Sequence, residues 1–145
     1  VDQDQVKAID DRFMAPKHSN GNVKVMEFIP EIHKVMQPLG NSLYCKEDRM
    51  EKAIERIEQL KKDVANVKAD DAHSLFGANE IQSMLICAEL FFRSSLLRKE
   101  SRGWFLREDY PEKAEEVKWY TMQNIDGKMV SGEQKVPFEQ YKYRP

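Results

Sequence analysis

The sequence predicts a mainly α-helical fold: a three-helix bundle of the up-down-up kind found in spectrin repeats, with a short extra helix before it and a β-hairpin with an extended tail after it. Apolar residues recur with a period near 3.6 in three long segments, which is typical of helices that bury one face. After Trp119 the pattern changes and leads to Asp126-Gly127, a dipeptide favoured in two-residue hairpin turns. With 145 residues, the chain is long enough to form a core without disulfide bonds.

The first part of the chain contains a short helix and one of the three long ones. Acids at positions 2 and 4 favour a helix N-terminus, and the apolar residues that follow at helical spacing predict a helix that ends before Pro16. Asparagine and glycine at positions 20–22 indicate a turn. Residues 23–37 then form an apolar stripe of helical period, in which Pro30 either kinks the helix or marks its first turn.

The other two long helices differ in how they are expected to be buried. Residues 50–64 have apolar side chains on one face and charged ones on the other, so this helix packs on one side only. Residues 69–73 form a polar connection, and Asn79 is the expected N-cap of the next helix, at about residues 80–101. That helix is apolar around most of its circumference, which predicts the centre of the bundle, and Gly103 is expected just past its end.

The C-terminal residues are expected to form strands. Asp126-Gly127 predicts a type I′ turn, while Gly132 and Pro137 limit the strand length. The tail from residue 138 to 145 is aromatic and basic enough to dock on the bundle. We therefore predict one domain, with a helical bundle at residues 1–117 and a hairpin and tail packed on it at residues 118–145.

Composition excludes several classes of function. A net charge of -2 and a pI near 6.0 give no reason to expect nucleic acid as a partner. Cys45 and Cys87 are far apart, so neither a disulfide framework nor a zinc site is expected, and we predict reduced thiols and a cytoplasmic location. The longest apolar run, residues 84–97, is interrupted by Glu89 and Arg93 and is shorter than the roughly 20 residues of a membrane span.

Four motifs together carry a resemblance to a known family. They are Ala88-Glu89-Leu90, Arg98-Lys-Glu-Ser-Arg-Gly103, Arg107-Glu-Asp-Tyr-Pro111 and Trp119. In order and spacing they resemble the C-terminal helical domain of the flavoprotein subunits of succinate dehydrogenase, fumarate reductase, L-aspartate oxidase and adenylylsulfate reductase. The resemblance implies that the chain is a fragment of a longer flavoprotein, a parent that binds FAD.

The resemblance also implies what this domain does. It implies a non-catalytic domain that packs on the flavin-binding and capping domains of the parent FAD-dependent oxidoreductase and shapes the interface with an iron-sulfur subunit. No catalytic, cofactor-binding or metal-binding residue carries over, because the family's are in the other domains. None of the six glycines forms a Gly-x-Gly-x-x-Gly loop, so the isolated chain is expected neither to bind FAD nor to act as an enzyme.

Two questions stay open at this point. A free-standing helical adaptor that binds a protein through its aromatic tail is the alternative function. The substrate of the parent is also open: succinate dehydrogenases and fumarate reductases commonly have Gly-Ala-His where this chain has Gly103-Trp104-Phe105, which is more similar to the adenylylsulfate reductases.

The charged residues between positions 98 and 109 have two possible roles. Arginines there would suit a carboxylate substrate or a flavin phosphate. The interpretation that we favour is a structural or interdomain charge network that pins the helix end and the following loop, with Arg102 paired to Glu100, Asp109 or Glu89. The residues of this network are Arg98, Glu100, Arg102, Arg107 and Asp109.

Overall fold

The computed structural model describes residues 2–125 and 128–143, which form five α-helices, three short 3-10 helices and three pairs of strands. The helices are α1 (Gln3–Met14), α2 (Val25–Met36), α3 (Leu39–Ser42), α4 (Glu47–Asp63) and α5 (Ala72–Leu97). The strands are β1 (Val23–Lys24), β2 (Tyr44–Cys45), β3 (Val67–Lys68), β4 (Leu106–Arg107), β5 (Lys118–Ile125) and β6 (Lys128–Lys135). A mainly helical fold with a C-terminal hairpin confirms the predicted fold class.

The centre of the bundle is α5, which packs against both α2 and α4. Its side chains Ile81, Leu85 and Phe92 are buried. They belong to one core with buried residues of the two neighbouring helices, among them Phe28, Ile32, Val35, Met50, Ile54, Ile57 and Leu60. By length and composition alone α5 would also suit a membrane span. Its burial between two other helices is that of a core helix, as the sequence predicted.

The earlier helices lie close to where the periodicity placed them. Helix α1 begins behind Asp2, whose carboxylate accepts hydrogen bonds from two backbone N–H groups of the first turn. It ends before Pro16, as expected. Pro30 lies inside α2, which continues to Met36, so this proline does not mark the first turn. Helix α4 buries its apolar face and exposes most of its charged one.

The start of α5 differs from the prediction. The helix begins at Ala72, behind Asp71, whose side chain accepts a 2.7 Å hydrogen bond from a backbone N–H of the first turn. Asn79 is therefore not the N-cap but lies inside the helix, where its side chain donates to a carbonyl one turn earlier. The close packing of α5 on α2 explains the glycine at position 77, since a Cβ there would lie 2.7 Å from Val25 Cγ1.

The end of α5 also differs. The helix ends at Leu97 rather than near residue 101, and Gly103 is not next to its end. Gly103 has a φ of +62° and lies in a turn of the following loop, where Arg102 and Phe105 exchange backbone hydrogen bonds of 2.9 and 3.1 Å. The left-handed conformation expected for this glycine is present, but it serves that turn.

Two very short parallel strand pairs tie the loops together, and the sequence pattern did not predict them. Strand β1 pairs with β3, and β2 pairs with β4. At the first pairing, a Cβ on Gly21 would lie 2.0 Å from the carbonyl oxygen of Asn66, so only glycine allows this approach. The second pairing places Arg107 opposite Cys45 and so brings the loop after α5 to the start of α4.

The C-terminal hairpin is present. Strands β5 and β6 pair antiparallel from Lys118↔Lys135 to Ile125↔Lys128, and the hairpin lies against α5. The predicted type I′ turn at Asp126-Gly127 falls outside the described residues. Beyond β6, Val136 is buried and Phe138 is partly buried, whereas Tyr141 and Tyr143 are exposed. Within the described part of the predicted tail, residues 138–143, Phe138 is the one partly buried residue, and docking of the tail on the bundle stays a prediction.

Candidate functional site

The charged residues of interest meet where α5 ends. The last carbonyl groups of a helix have no partner within it, so they need donors from elsewhere. Arg107 supplies them: its Nη1 donates to the carbonyl oxygens of Ser95 at 2.7 Å, Arg98 at 2.8 Å and Leu96 at 3.4 Å. Only 1% of Arg107 is exposed. Its positive charge also complements the negative end of the helix dipole.

The rest of the Arg107 guanidinium binds Asp109. Nε donates to Oδ1 at 2.7 Å and Nη2 donates to Oδ2 at 2.8 Å, which is the bidentate arrangement of a strong ion pair. Oδ2 of Asp109 also accepts a 3.0 Å hydrogen bond from the backbone N–H of Glu47, the first residue of α4. The pair thus joins the C-terminus of α5 to the N-terminus of α4, with each charge at the helix end that it stabilises.

These contacts change the pKa of Asp109. The hydrogen bonds from Arg107 stabilise the carboxylate, partial burial opposes them, and the Glu47 N–H adds to them. The net effect lowers the pKa from its ordinary value of 3.8 to about 2. Asp109 is therefore ionised at neutral pH, which suits an ion pair and not a proton donor.

The β2–β4 pairing holds this junction in place. The backbone N–H of Glu108 donates to the carbonyl oxygen of Cys45 at 2.9 Å, and the side chain of Glu108 pairs with Arg49 of α4 at 2.9 Å. Arg49 also donates from Nε to the carbonyl oxygen of Gly40 at 2.7 Å. Burial raises the pKa of the Cys45 thiol, so this cysteine is an inert core residue rather than a nucleophile.

A second cluster surrounds Glu100, which is also buried. Its Oε2 accepts hydrogen bonds from Arg102 Nε at 2.9 Å and from the Ala114 backbone N–H at 3.1 Å. Arg98 Nη1 lies 3.7 Å from Oε1. Burial raises the pKa of Glu100, but the Arg102 and Ala114 hydrogen bonds outweigh it and lower the pKa overall. Because Arg102 Nη2 also donates to the carbonyl oxygen of Ala114 at 2.7 Å, the cluster fastens both ends of the loop.

Arg98 additionally lies between two aromatic rings. Its guanidinium carbon is 5.4 Å from the centre of the Phe105 ring and 5.5 Å from that of Tyr120 in β5, which is cation-π distance. These side chains line an open groove of about 590 Å³ between α5 and the hairpin, which Trp119 also borders. Arg98 therefore connects the helix end to the hairpin.

The structure brings the five predicted residues together in two groups. Arg98 and Arg102 share Glu100, while Arg107 binds Asp109. Of the three partners considered for Arg102, the one found is Glu100. The role of the five residues as a structural or interdomain network stays a prediction.

Glu89 has other partners, which sequence reasoning missed. This buried carboxylate binds Lys61 Nζ of α4 at 2.7 Å and Arg93 Nε at 2.6 Å. The spacing of Glu89 and Arg93, four residues apart on one helix, was a usable signal. The contacts of Arg107 with the α5 carbonyls had no such signal, because they depend on where the chain returns.

The polar groups at this site bind one another and the backbone. Throughout residues 2–125 and 128–143, each buried side-chain nitrogen or oxygen has a hydrogen-bond partner. In the same part of the chain, no three His, Cys, Asp or Glu side chains are grouped to hold a metal. The guanidinium groups of Arg102 and Arg107 are thus already bound to protein oxygens.

Comparisons with known proteins give a consistent result. A family model described as "Fumarate reductase flavoprotein C-term" matches residues 30–145. An uncharacterized FAD-dependent oxidoreductase of Methanocaldococcus jannaschii is 38% identical over 96 residues, which cover 66% of this chain and 18% of the relative. The succinate dehydrogenase flavoprotein subunit of Rickettsia bellii is 27% identical over 139 residues, covering 90% of this chain and 23% of the subunit. The chain thus spans about a fifth of the length of these curated relatives.

Solved structures share the fold. The adenylylsulfate reductase of Archaeoglobus fulgidus superimposes with a TM-score of 0.82 at 23% identity, covering 95% of this chain and 25% of that one. A variant of the quinol fumarate reductase of E. coli gives a TM-score of 0.82 at 22% identity, covering 99% of this chain and 26% of that one.

Proposed function

The chain belongs to the fumarate reductase flavoprotein C-terminal family, as its motifs indicated, and we propose that it is the non-catalytic C-terminal helical domain of a longer FAD-dependent oxidoreductase. The observation that carries the proposal is the family match over residues 30–145. The M. jannaschii relative, whose name states FAD dependence, supports FAD as the cofactor of the parent. The free-standing adaptor is not favoured, because such a protein would have no reason to match this family along most of its length.

In this proposal the cofactor is held outside the present chain. A dinucleotide needs a glycine-rich turn through which backbone N–H groups approach the pyrophosphate, and the sequence has no Gly-x-Gly-x-x-Gly loop. The domain's own contribution is a rigid bundle that packs on the flavin-binding and capping domains. We place an iron-sulfur subunit among the partners, as the motifs imply. We place the parent in the cytoplasm, because its two cysteines in this chain are far apart and suggest reduced thiols.

The substrate of the parent is assigned to the missing domains. The helical domain is equally similar in fold to an adenylylsulfate reductase and a fumarate reductase, with a TM-score of 0.82 for each. The same bundle thus accompanies two chemistries, as expected if the reacting groups are elsewhere. The aromatic pair Trp104-Phe105 favours the adenylylsulfate reductase side.

Within the chain, we divide the work between residues 1–117 and residues 118–145. The first range forms the bundle and the second forms the hairpin that packs on it through Tyr120 and Arg98. Arg98, Glu100, Arg102, Arg107 and Asp109 fasten the helix end and the loop to which the hairpin is attached. Their support is the set of ion pairs and backbone hydrogen bonds described above.

Two experiments test the proposed function. Reading the coding sequence upstream of this segment is expected to show a Gly-x-Gly-x-x-Gly segment between a strand and a helix. Titrating the present chain with FAD is expected to leave flavin fluorescence unchanged. An upstream region without such a segment would overturn the proposal, and micromolar FAD binding would overturn the placement of the cofactor site in another domain.

A third experiment tests the structural role of the arginines. In the flavin-loaded parent, Arg102→Ala is expected to lower thermal stability, since it removes the bonds to Glu100 and Ala114. Turnover lost with flavin content and stability unchanged would instead show that Arg102 acts in catalysis.

A further inference from the structure

Helix α1 has an apolar face that the described chain leaves uncovered. Val6, Ile9 and Phe13 follow one another at helical spacing and are 48%, 60% and 37% exposed. Phe76 of α5 extends this surface and is 64% exposed. We call these four residues the α1 face. No residue of α1 is buried, although the helix has the apolar stripe of one that packs.

The direction of the α1 face is fixed by contacts at the C-terminal end of the helix. The Phe13 and Phe76 rings pack nearly perpendicular to each other with centroids 6.4 Å apart, and Asn79 Nδ2 donates to the carbonyl oxygen of Phe13 at 3.0 Å. Just beyond, Pro16 is buried and accepts a hydrogen bond from the Ala69 N–H at 3.0 Å. The helix is thus anchored at one end with its apolar stripe presented outward.

A helix of this length needs packing to be stable. Isolated helices shorter than about 12–15 residues are marginal in water, and most helical stability in proteins comes from burying an apolar face. Helix α1 has 12 residues and such an apolar face. Val6 and Ile9, the apolar side chains of its first two turns, are nevertheless exposed. An anchored helix with an exposed stripe of this kind indicates an interaction surface.

We infer that the α1 face is covered by the flavin-bearing part of the same polypeptide. The inference rests on the proposed function and adds to it which surface makes the contact. Its support is the extent of the structural match: 99% of this chain superimposes on 26% of the E. coli fumarate reductase chain. A helix equivalent to α1 therefore exists within a chain about four times as long. The polar side of α1, which includes Lys7 and Asp11, stays in solvent.

Cysteine labelling of the full-length parent tests this inference. Ile9→Cys reports on the apolar stripe, and Asp11→Cys reports on the opposite side of the same helix; both are made in a Cys87→Ser background, because Cys87 is the exposed native cysteine of this chain. In the flavin-loaded parent, the cysteine of Ile9→Cys is expected to react at least about tenfold more slowly than that of Asp11→Cys, since a covered side chain reacts only on local opening. In the present chain alone, the two cysteines are expected to react at similar rates.

Each outcome decides something different. Equal labelling rates in a parent with full flavin content would overturn this inference and leave the proposed function intact. An upstream coding region without a flavin domain would overturn both. If the labelling of Ile9→Cys in the flavin-loaded parent slows as protein concentration rises, while that of Asp11→Cys does not, a second copy is the occupant and the inference is wrong.

Discussion

Two regions of the molecule depart from the usual pattern, in which charged side chains are exposed and apolar ones are buried. The junction of α4 and α5 buries charged side chains, whereas the α1 face exposes apolar ones. At the junction and in the neighbouring Glu100 cluster, Arg107 and Glu100 are charged and buried. On the α1 face, Val6 and Ile9 are apolar and exposed. The difference is whether the chain supplies the partner. Each of these buried charges has hydrogen bonds within the chain, whereas the apolar stripe stays largely exposed among the described residues.

The junction is complete within the present chain, and the α1 face is not. The junction is expected to have the same structure in the present chain and in a longer protein, so substitutions there change the stability of either. The α1 face is expected to matter only where its cover is present.

The most sensitive point is the buried guanidinium. Replacing Arg107→Ala leaves the last α5 carbonyls and the Asp109 carboxylate without donors, and breaking a buried pair in this way lowers the free energy of unfolding by about 3–5 kcal/mol. Urea denaturation of the present chain measures the loss. Arg56→Ala is the matched control, because Arg56 is a partly exposed ion-paired arginine of α4 and its loss is expected to cost about 1 kcal/mol or less. Equal losses for both variants would show that the junction is not a self-contained unit.

Acid should weaken the junction in a defined pH range. Because the pKa of Asp109 is lowered from 3.8 to about 2 when folded, its stabilisation is complete above about pH 5 and is largely lost as pH falls to 2. The expected loss is about 2 kcal/mol. Asp109→Asn lacks this titration, so the difference in unfolding free energy between the native chain and the variant should shrink over that range. A difference that stays constant from pH 5 to pH 2 would contradict the ion pair.

A smaller change is expected for Arg102→Lys. The guanidinium of Arg102 reaches Glu100 and the Ala114 carbonyl at once, and a single ammonium group does not reproduce that fork, so we expect a loss of about 1 kcal/mol. Arg98→Lys is the comparison, since its contact with Glu100 is the longer one at 3.7 Å. The midpoint temperature of thermal unfolding is expected to decrease more for Arg102→Lys than for Arg98→Lys. The opposite order would mean that the aromatic contacts of Arg98 are the stronger fastening.

The smallest change is expected on the α1 face. In the present chain, Ile9→Ser should alter the free energy of unfolding by about 0.5 kcal/mol or less, because the side chain is already in solvent. The same substitution at Ile57, which is fully buried in α4, should unfold or strongly destabilise the chain. Comparable denaturation midpoints for the two variants would show that Ile9 is packed in solution and that the contrast between the regions is false.

Periodicity predicted the helices well where apolar residues recur along the whole segment, and less well where a helix begins with small and polar residues. The expected central helix was found because residues 81–92 are apolar nearly all round. Its first turns were missed because the residues after Asp71 are mostly small or polar. They include Gly77, whose place in the helix is explained by its close approach to Val25 and not by any local pattern. Local pattern does not contain the position of a neighbouring helix.

The charged segment shows a similar division. That Arg102 and Glu100 pair follows from their closeness in sequence. The binding of Arg107 to the end of α5 could not be predicted in this way. It depends on the pairing of β2 with β4, and strands of two residues are too short to show a repeating pattern. The motifs identified the family more securely than the physics of the segment identified its contacts.

The hydrogen bond from Glu47 to Asp109 also bears on the order of folding. It spans 62 residues of sequence, so it closes a long loop that contains both α4 and α5. Closing such a loop is entropically costly until the two helices have already paired. We therefore expect the junction to form late, after the helical hairpin of α4 and α5, and to be among the first tertiary contacts that hydrogen exchange detects opening.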